Sequence, residues 1–203
     1  SALASSLYLR GLFYLNIPST MTAIVDSCIG GKTAINYKGI TNSIGTYYHP
    51  NNIFIFEEVI KDIPEREFCA GIAEIIKCGI IDDEKILSFL LKNREKILAR
   101  DYPTVSTICT MTLKSKIKFF SQDVYENNQR LFLNFGHTFA HAIEMALEKN
   151  NKSKEDILRH GEAVGLGMIC EIKYASEMNS NDILDKTIEI LKLYKLPTNL
   201  KFL

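Results

Sequence analysis

Apolar and polar positions change rhythm part-way along the chain. Up to about Pro64, short apolar runs are broken by Gly, Pro and Asn. Within this half, "GLFYLNIPST" and "NNIFIFEEV" cluster β-branched and aromatic residues between turn formers, a pattern that predicts two buried strands. Between them, "DSCIGGKTAINYKGITNSIG" is polar and predicts a loop. After Pro64, apolar residues recur at three and four with hardly a breaker, which predicts helices over 65–80, 83–99, 103–125, 136–149, 160–178 and 181–194. "LEKNNKSKED" is the most polar stretch and is expected as an exposed loop, because its lysines and asparagines have no apolar partners.

The expected fold is therefore mainly α, with about two strands in residues 1–64 and an all-helical unit in 65–203. Two strands alone make a poor sheet. "SALASSLYLRG" also reads as a helix already under way without a capping signal, so a piece of a longer chain is expected.

Composition narrows the function. The 203 residues are 46% hydrophobic, enough for a real core. Lys plus Arg number 24 and Asp plus Glu number 24, so no global field draws in nucleic acid or an anionic membrane, and any substrate charge must be met locally. Cys28, Cys69, Cys78, Cys109 and Cys170 are scattered and odd in number, which argues against a disulfide frame or a thiolate zinc site and suits a reducing cytoplasm. No apolar run approaches the ~20 residues needed to span a bilayer.

Candidate chemistry begins at "NFGHTFAHAIE". On a helix, His137 and His141 share one face a turn apart, a spacing that suits two ligands to one cation but also occurs in surface or capping histidines. Downstream, "RHGEAVGLGM" places His160 at the mouth of a helix whose Gly161, Gly165 and Gly167 would let another backbone approach closely. Upstream, "CAGIAEIIKCGII" carries Glu74 and Lys77 in an otherwise apolar run, where an unpaired charge would cost several kcal/mol. Either the two form an i, i+3 ion pair, or Glu74 completes a Glu, His, His shell suited to Zn²⁺. In "DSCIGGKT", paired glycines beside Lys32 offer a phosphate rest or simply a tight turn; the spacing of a Walker loop is absent. Lys114 and Lys118 read as solvated helix charges, whereas Arg130, four residues before the histidine motif, is placed to hold a carboxylate in a two-pronged grip.

Taken together, "DSCIGGKTAIN", "ERE" with "AGIAEIIKCGII", "RLFLNFGHTFAHAIE" and "HGEAVGLGM", in that order, closely resemble the 3-dehydroquinate synthase family of sugar phosphate cyclases, from about Leu7 to Thr198. The resemblance implies an N-terminal nucleotide-binding α/β domain joined to a helical domain, with the active site in the cleft between them. Residues 1–64 would be the back of the first domain and 65–203 most of the second. It also implies that Glu74, His137 and His160 ligate Zn²⁺ (or Co²⁺), which leaves His141 as a substrate or phosphate contact. Asp26 and Lys77 would meet substrate hydroxyls, Lys116 and Arg130 the carboxylate, and Lys32 and Asn42 the phosphate; Asn134 belongs to the same catalytic set. Ser19, Thr20, Asp26 and Lys32 would lie near NAD. The implied reaction takes 3-deoxy-arabino-heptulosonate 7-phosphate to 3-dehydroquinate by transient oxidation with NAD⁺, phosphate elimination, re-reduction and internal aldol closure. The implied setting is a homodimer of the full-length cytoplasmic protein, whose partner is a small phosphorylated sugar acid.

Two departures stand out. Thr41 occupies the position where the family has a lysine directly before Asn42, and Lys38 is the nearest replacement. The glycine-rich phosphate-binding turn and the family's last helices lie beyond both ends of this sequence, so the isolated residues are expected to bind NAD poorly and to turn over little. Three rivals compete: a cyclase making an inosose or valiolone, a metal-dependent alcohol dehydrogenase of similar fold, and a non-catalytic metal-binding helical module.

Overall fold

In the computed structural model, which describes residues 2–149, 158–176 and 182–199, the chain opens with α1 (Ala2–Leu7) and reaches β1 (Leu15–Asn16). A π-helical turn (Ala23–Ser27) leads to the antiparallel hairpin of β2 (Ile35–Tyr37) and β3 (Ile40–Ile44). β4 (Asn52–Ile53) then pairs in parallel with β1, Leu15 opposite Asn52. The helices that follow are α2 (Glu57–Asp62), α3 (Glu65–Ile81), α4 (Glu84–Lys92), α5 (Arg94–Leu98), α6 (Tyr102–Gln122), α7 (His137–Lys149), α8 (His160–Ser176) and α9 (Asp182–Leu193).

Each start has a local cause. Glu65 and Glu67 occupy the first turn of α3, where negative charge meets the positive end of the helix dipole. Asp83 accepts a hydrogen bond from the Lys85 N–H ahead of α4. Asp101 does the same for Thr104 ahead of α6, with Pro103 in the first turn. The core gathers on α3, where Phe68, Ile72, Ile75 and Ile76 are buried against Ala163, Val164 and Met168 of α8 and Ile108 of α6. Each such isoleucine contributes roughly 1.5–3 kcal/mol by leaving water.

The glycines of α8 let backbones touch. A Cβ on Gly161 would lie 1.9 Å from the Ala70 carbonyl oxygen of α3, and one on Gly167 1.9 Å from the Gly136 carbonyl oxygen before α7. Gly165 meets only the Leu191 side chain, at 3.2 Å, so the expected close approach belongs to two of the three. α3, α7 and α8 are thereby drawn together near the residues that are the candidate ligands.

The strand half departs from expectation. Only two residues of each predicted strand pair. Leu15, Ile17, Phe54 and Phe56 are exposed rather than buried, since no third strand flanks β1 and β4 among the described residues. The end of "NNIFIFEEV" turns into α2. The predicted polar loop holds the β2–β3 hairpin, with Lys38 and Gly39 at positive φ in the turn. Among the helices, the predicted 83–99 element breaks at Asn93, whose side-chain amide donates to the Phe89 carbonyl and competes with the backbone ladder. The helix predicted to reach residue 125 stops at Gln122, because the Asp123 carboxylate gathers the N–H groups of Asn127, Asn128 and Arg130 into a turn. Of the expected 147–156 loop, the first three residues belong to α7 and the rest lies outside the described residues. No helix among the described residues is long and apolar enough to cross a membrane.

Candidate functional site

The middle of α3 presents Glu74 toward the starts of α7 and α8. One ligand atom each from Glu74, His137 and His160 lies within 4.8 Å of the others. Glu74 is 1% exposed, and its Oε1 faces His137 Nε2 at 3.8 Å and His160 Nε2 at 3.6 Å without a hydrogen-bond partner. Four ligands at about 2.0–2.1 Å from a tetrahedral ion stand roughly 3.3–3.5 Å apart, so this spacing fits a Zn²⁺-sized cation after small adjustments. Both imidazoles are held from behind: His137 Nδ1 lies 3.3 Å from the Phe135 carbonyl, and His160 Nδ1 lies 2.9 Å from Glu144 Oε1. Such contacts fix ring orientation and leave Nε2 for the metal. Burial also lowers the pKa of His137, favouring the neutral ring that ligates.

A row of alternating charges runs away from this point. Lys77 Nζ stands 2.5 Å from Glu74 Oε2 and 4.0 Å from Asp26 Oδ1, and Lys116 Nζ stands 2.7 Å from the same Asp26 oxygen. Burial pushes the Asp26 carboxyl up, but the cations of Lys116 and Lys77 outweigh it and hold the pKa well below the carboxylate range. Burial would discharge Lys77; Glu74 and Asp26 overcome that and keep it protonated. The i, i+3 pair and the proposed ligand are thus one arrangement: Oε2 answers Lys77 while Oε1 faces the histidines.

A cavity of about 460 Å³ opens over these groups. Asp26, Lys77, Lys116, His137, His141 and His160 line it on the helical side. Lys32, Asn42, Arg130 and Asn134 line it on the hairpin side. His141 sits at the rim of the ligand cluster, its ring 5.7 Å from His137 and 6.3 Å from His160, and burial lowers its pKa. Asn42 adopts a left-handed backbone, with its N–H donating to Asn36 Oδ1.

Three expected residues either lie outside this cavity or are engaged by the protein itself. Ser19 and Thr20 are exposed and do not line this cavity; the Thr20 hydroxyl accepts from the Ala23 N–H and caps the π-helical turn. Arg130 is buried, and its Nη1 and Nη2 donate to the carbonyls of Val124 and Gly30 while Nε has no partner. Rather than offering a free fork to a ligand, it staples the Gly30 turn to the segment before α7. Gly30 makes room for it: φ is +107°, and a Cβ there would come 2.5 Å from Nη2. Thr41 lines the cavity, whereas Lys38 lies at the hairpin turn with its ammonium 5.3 Å from the Tyr37 ring centre.

Two carboxylates escaped sequence reasoning. Glu126 joins Lys32 Nζ, 2.5 Å away, to the Asn134 side-chain amide, 2.7 Å away. It sits in an irregular turn at φ +60°, where no periodicity points to it. Glu144 follows His137 by seven residues, two turns along the same face of α7, a signal that helical arithmetic does contain.

Two family descriptions match: 3-dehydroquinate synthase N-terminal over residues 1–70 and 3-dehydroquinate synthase C-terminal over residues 71–203. The 3-dehydroquinate synthase of Thermodesulfovibrio yellowstonii is 40% identical over 198 residues, 97% of this chain and 54% of that protein. That of Clostridium tetani is 40% identical over 202 residues, 97% of this chain and 52% of the relative. The chain spans about half the length of the curated relatives it matches. Among solved structures, the 2-epi-5-epi-valiolone synthase of Streptomyces hygroscopicus, with NAD⁺ and Zn²⁺ bound, superimposes with a TM-score of 0.87 at 25% identity, covering 100% of this chain and 55% of its own. A 2-deoxy-scyllo-inosose synthase complexed with carbaglucose-6-phosphate, NAD⁺ and Co²⁺ gives 0.81 at 25% identity, covering 100% of this chain and 54% of its own. Matched by its family descriptions from end to end, and bearing two imidazoles and a buried carboxylate at one point, the chain belongs to the 3-dehydroquinate synthase family.

Proposed function

We propose that this chain supplies the metal- and substrate-handling part of a 3-dehydroquinate synthase. That enzyme is a carbon–oxygen lyase taking 3-deoxy-arabino-heptulosonate 7-phosphate to 3-dehydroquinate and phosphate. The observation that carries the reading is the convergence of Glu74, His137 and His160 beside a cavity lined by Lys32, Lys77, Lys116 and Arg130. The relatives' names support it, and the neighbours with NAD⁺ and Zn²⁺ or Co²⁺ support the same cofactors here. Glu74, His137 and His160 would hold the ion, and Ser19, Thr20, Asp26 and Lys32 would face the dinucleotide. When bound, these groups supply a Lewis acid for a substrate hydroxyl and a hydride acceptor.

The chain's own residues divide the remaining work. Asp26, kept anionic by Lys116 and Lys77, accepts hydrogen bonds from ring hydroxyls. Lys116 and Arg130 set the positive field for a carboxylate, and Lys32 and Asn42 that for a phosphate. His141, neutral near pH 7 because burial lowers its pKa, can take or return a proton at a ring nitrogen. The four cations are matched in number by Asp26, Glu74, Glu126 and Glu144, so a divalent ion would tip the cavity positive, toward an anionic substrate. We place the boundary between nucleotide-facing and helical units at Pro64, ahead of α3, and assign a homodimeric, cytoplasmic setting to the whole protein.

Calorimetric titration of the Zn²⁺-loaded chain tests the reading. Heptulosonate 7-phosphate should bind at least about tenfold tighter than heptulose 7-phosphate, which lacks the carboxylate, since a charge-assisted contact is worth about 1.5–3 kcal/mol. Equal affinities would instead favour an inosose- or valiolone-type cyclase. Metal binding without affinity for either sugar phosphate would favour a non-catalytic module.

A further inference from the structure

Three histidine rings crowd the ligand cluster, although only His137 and His160 face Glu74 Oε1. His137 lies 5.7 Å from His141 and 5.3 Å from His160, and the last two lie 6.3 Å apart. His137 is well anchored, with the Phe135 carbonyl behind its ring and the adjacent Gly136 N–H donating to Glu171 of α8. His160 has no such backbone support: it is the first residue of α8, and its side chain is 38% exposed. A lone imidazole in that position has several rotamers open to it, and His141 stands near enough to compete.

Glu144 removes the ambiguity. It projects from the cavity-lining face of α7, three residues beyond His141, and crosses to α8, where Oε1 meets His160 Nδ1 at 2.9 Å. We infer that Glu144 is a positioning residue that selects His160 over His141 as the third metal ligand by holding Nδ1 and turning Nε2 toward Glu74 Oε1. Glu144 acts on His141 only as a nearby charge, and among the described residues no carboxylate hydrogen-bonds to that ring. The inference rests on the metal reading of Glu74, His137 and His160 given above.

The test measures Zn²⁺ dissociation constants of the full 203-residue chain by competition with a chromophoric chelator. Glu144→Ala should weaken binding about 10–100-fold, the usual effect of losing an outer carboxylate, while the metal-free protein still melts in one cooperative transition. Glu144→Gln should lose less, because its amide oxygen still accepts from Nδ1–H, and it serves if the alanine variant folds poorly. His141→Ala, whatever it does to proton transfer, should leave the Zn²⁺ dissociation constant of the wild type unchanged and raise it in the Glu144→Ala background, where His141 becomes the substitute ligand. Wild-type affinity in both Glu144 variants, with Glu74→Ala having lost the metal, overturns the role of Glu144 and spares the metal site. Equal effects of His141→Ala in the two backgrounds overturn the selection. Undiminished binding in Glu74→Ala overturns the site itself and this inference with it.

Discussion

Glu74 answers two demands with its two oxygens, and its removal should show both. In Glu74→Ala, Lys77 remains 1% exposed with only Asp26, at 4.0 Å, to oppose its charge. A buried pair broken on one side typically costs about 3–5 kcal/mol. Chemical denaturation should register a loss of that order, and atomic absorption should find no metal carried through purification. Glu74 and Lys77 were legible in the sequence because they are the two charges in a thirteen-residue stretch that is otherwise apolar. Arg130 was legible in location but not in conduct: its partners are the carbonyls of Gly30 and Val124, and side-chain letters do not say where a loop's carbonyls point. Glu126 was hidden for the same reason, since its meaning comes from the fold that brings Lys32 and Asn134 to either side of it.

Between elements, the contact of α3 with α8 sets the distance from Glu74 to His160. The Arg66 guanidinium spans both Glu162 oxygens at 2.7 Å, one turn from where Gly161 meets Ala70. Gly161→Ala puts a carbon 1.9 Å from the Ala70 oxygen, so α8 must retreat. Overpacking of this kind costs typically about 1–3 kcal/mol. Calorimetry should show that loss together with weaker Zn²⁺ binding, whereas Gly165→Ala, facing only a side chain, should leave metal affinity close to wild type. The turn after α6 makes a pH prediction. Desolvation raises the Asp123 pKa, but backbone N–H donors from Asn127, Asn128 and Arg130 outweigh it and hold it low. Its folded pKa therefore lies below the unfolded one, so its stabilisation is present above the unfolded value and fades as pH falls through the folded one. The melting-temperature gap between wild type and Asp123→Asn should accordingly be widest near neutrality and shrink on acidification below pH ~4. Helices were readable because one buried face imposes a period; the β2–β3 hairpin was not, because Ile35, Tyr37, Ile40 and Ile44 are all exposed and no burial alternation marks them as strands.

For the molecule as a whole, the proposed ligands come from α3, α7 and α8, far apart in sequence, so metal bound there would be linked to tertiary folding. Free Zn²⁺ at a hundred times its dissociation constant should add about 2.7 kcal/mol to stability. A thermal melt should shift upward with metal and return on chelation, and Glu74→Ala should show neither movement. The family resemblance carried by the motifs implied this convergence, but it could not convey the exposed apolar side chains of Leu15, Ile17, Phe54 and Phe56 around β1 and β4, which depend on what neighbours a strand. The bond between Lys32 and Glu126 has a further consequence. An anion arriving at that ammonium finds it engaged and must evict a carboxylate, which in turn unties the Asn134 amide. Under the proposed role of Lys32, recognition at that end of the cavity would be an exchange of partners: small inorganic anions should gain little there, while a substrate anchored elsewhere could drive the swap.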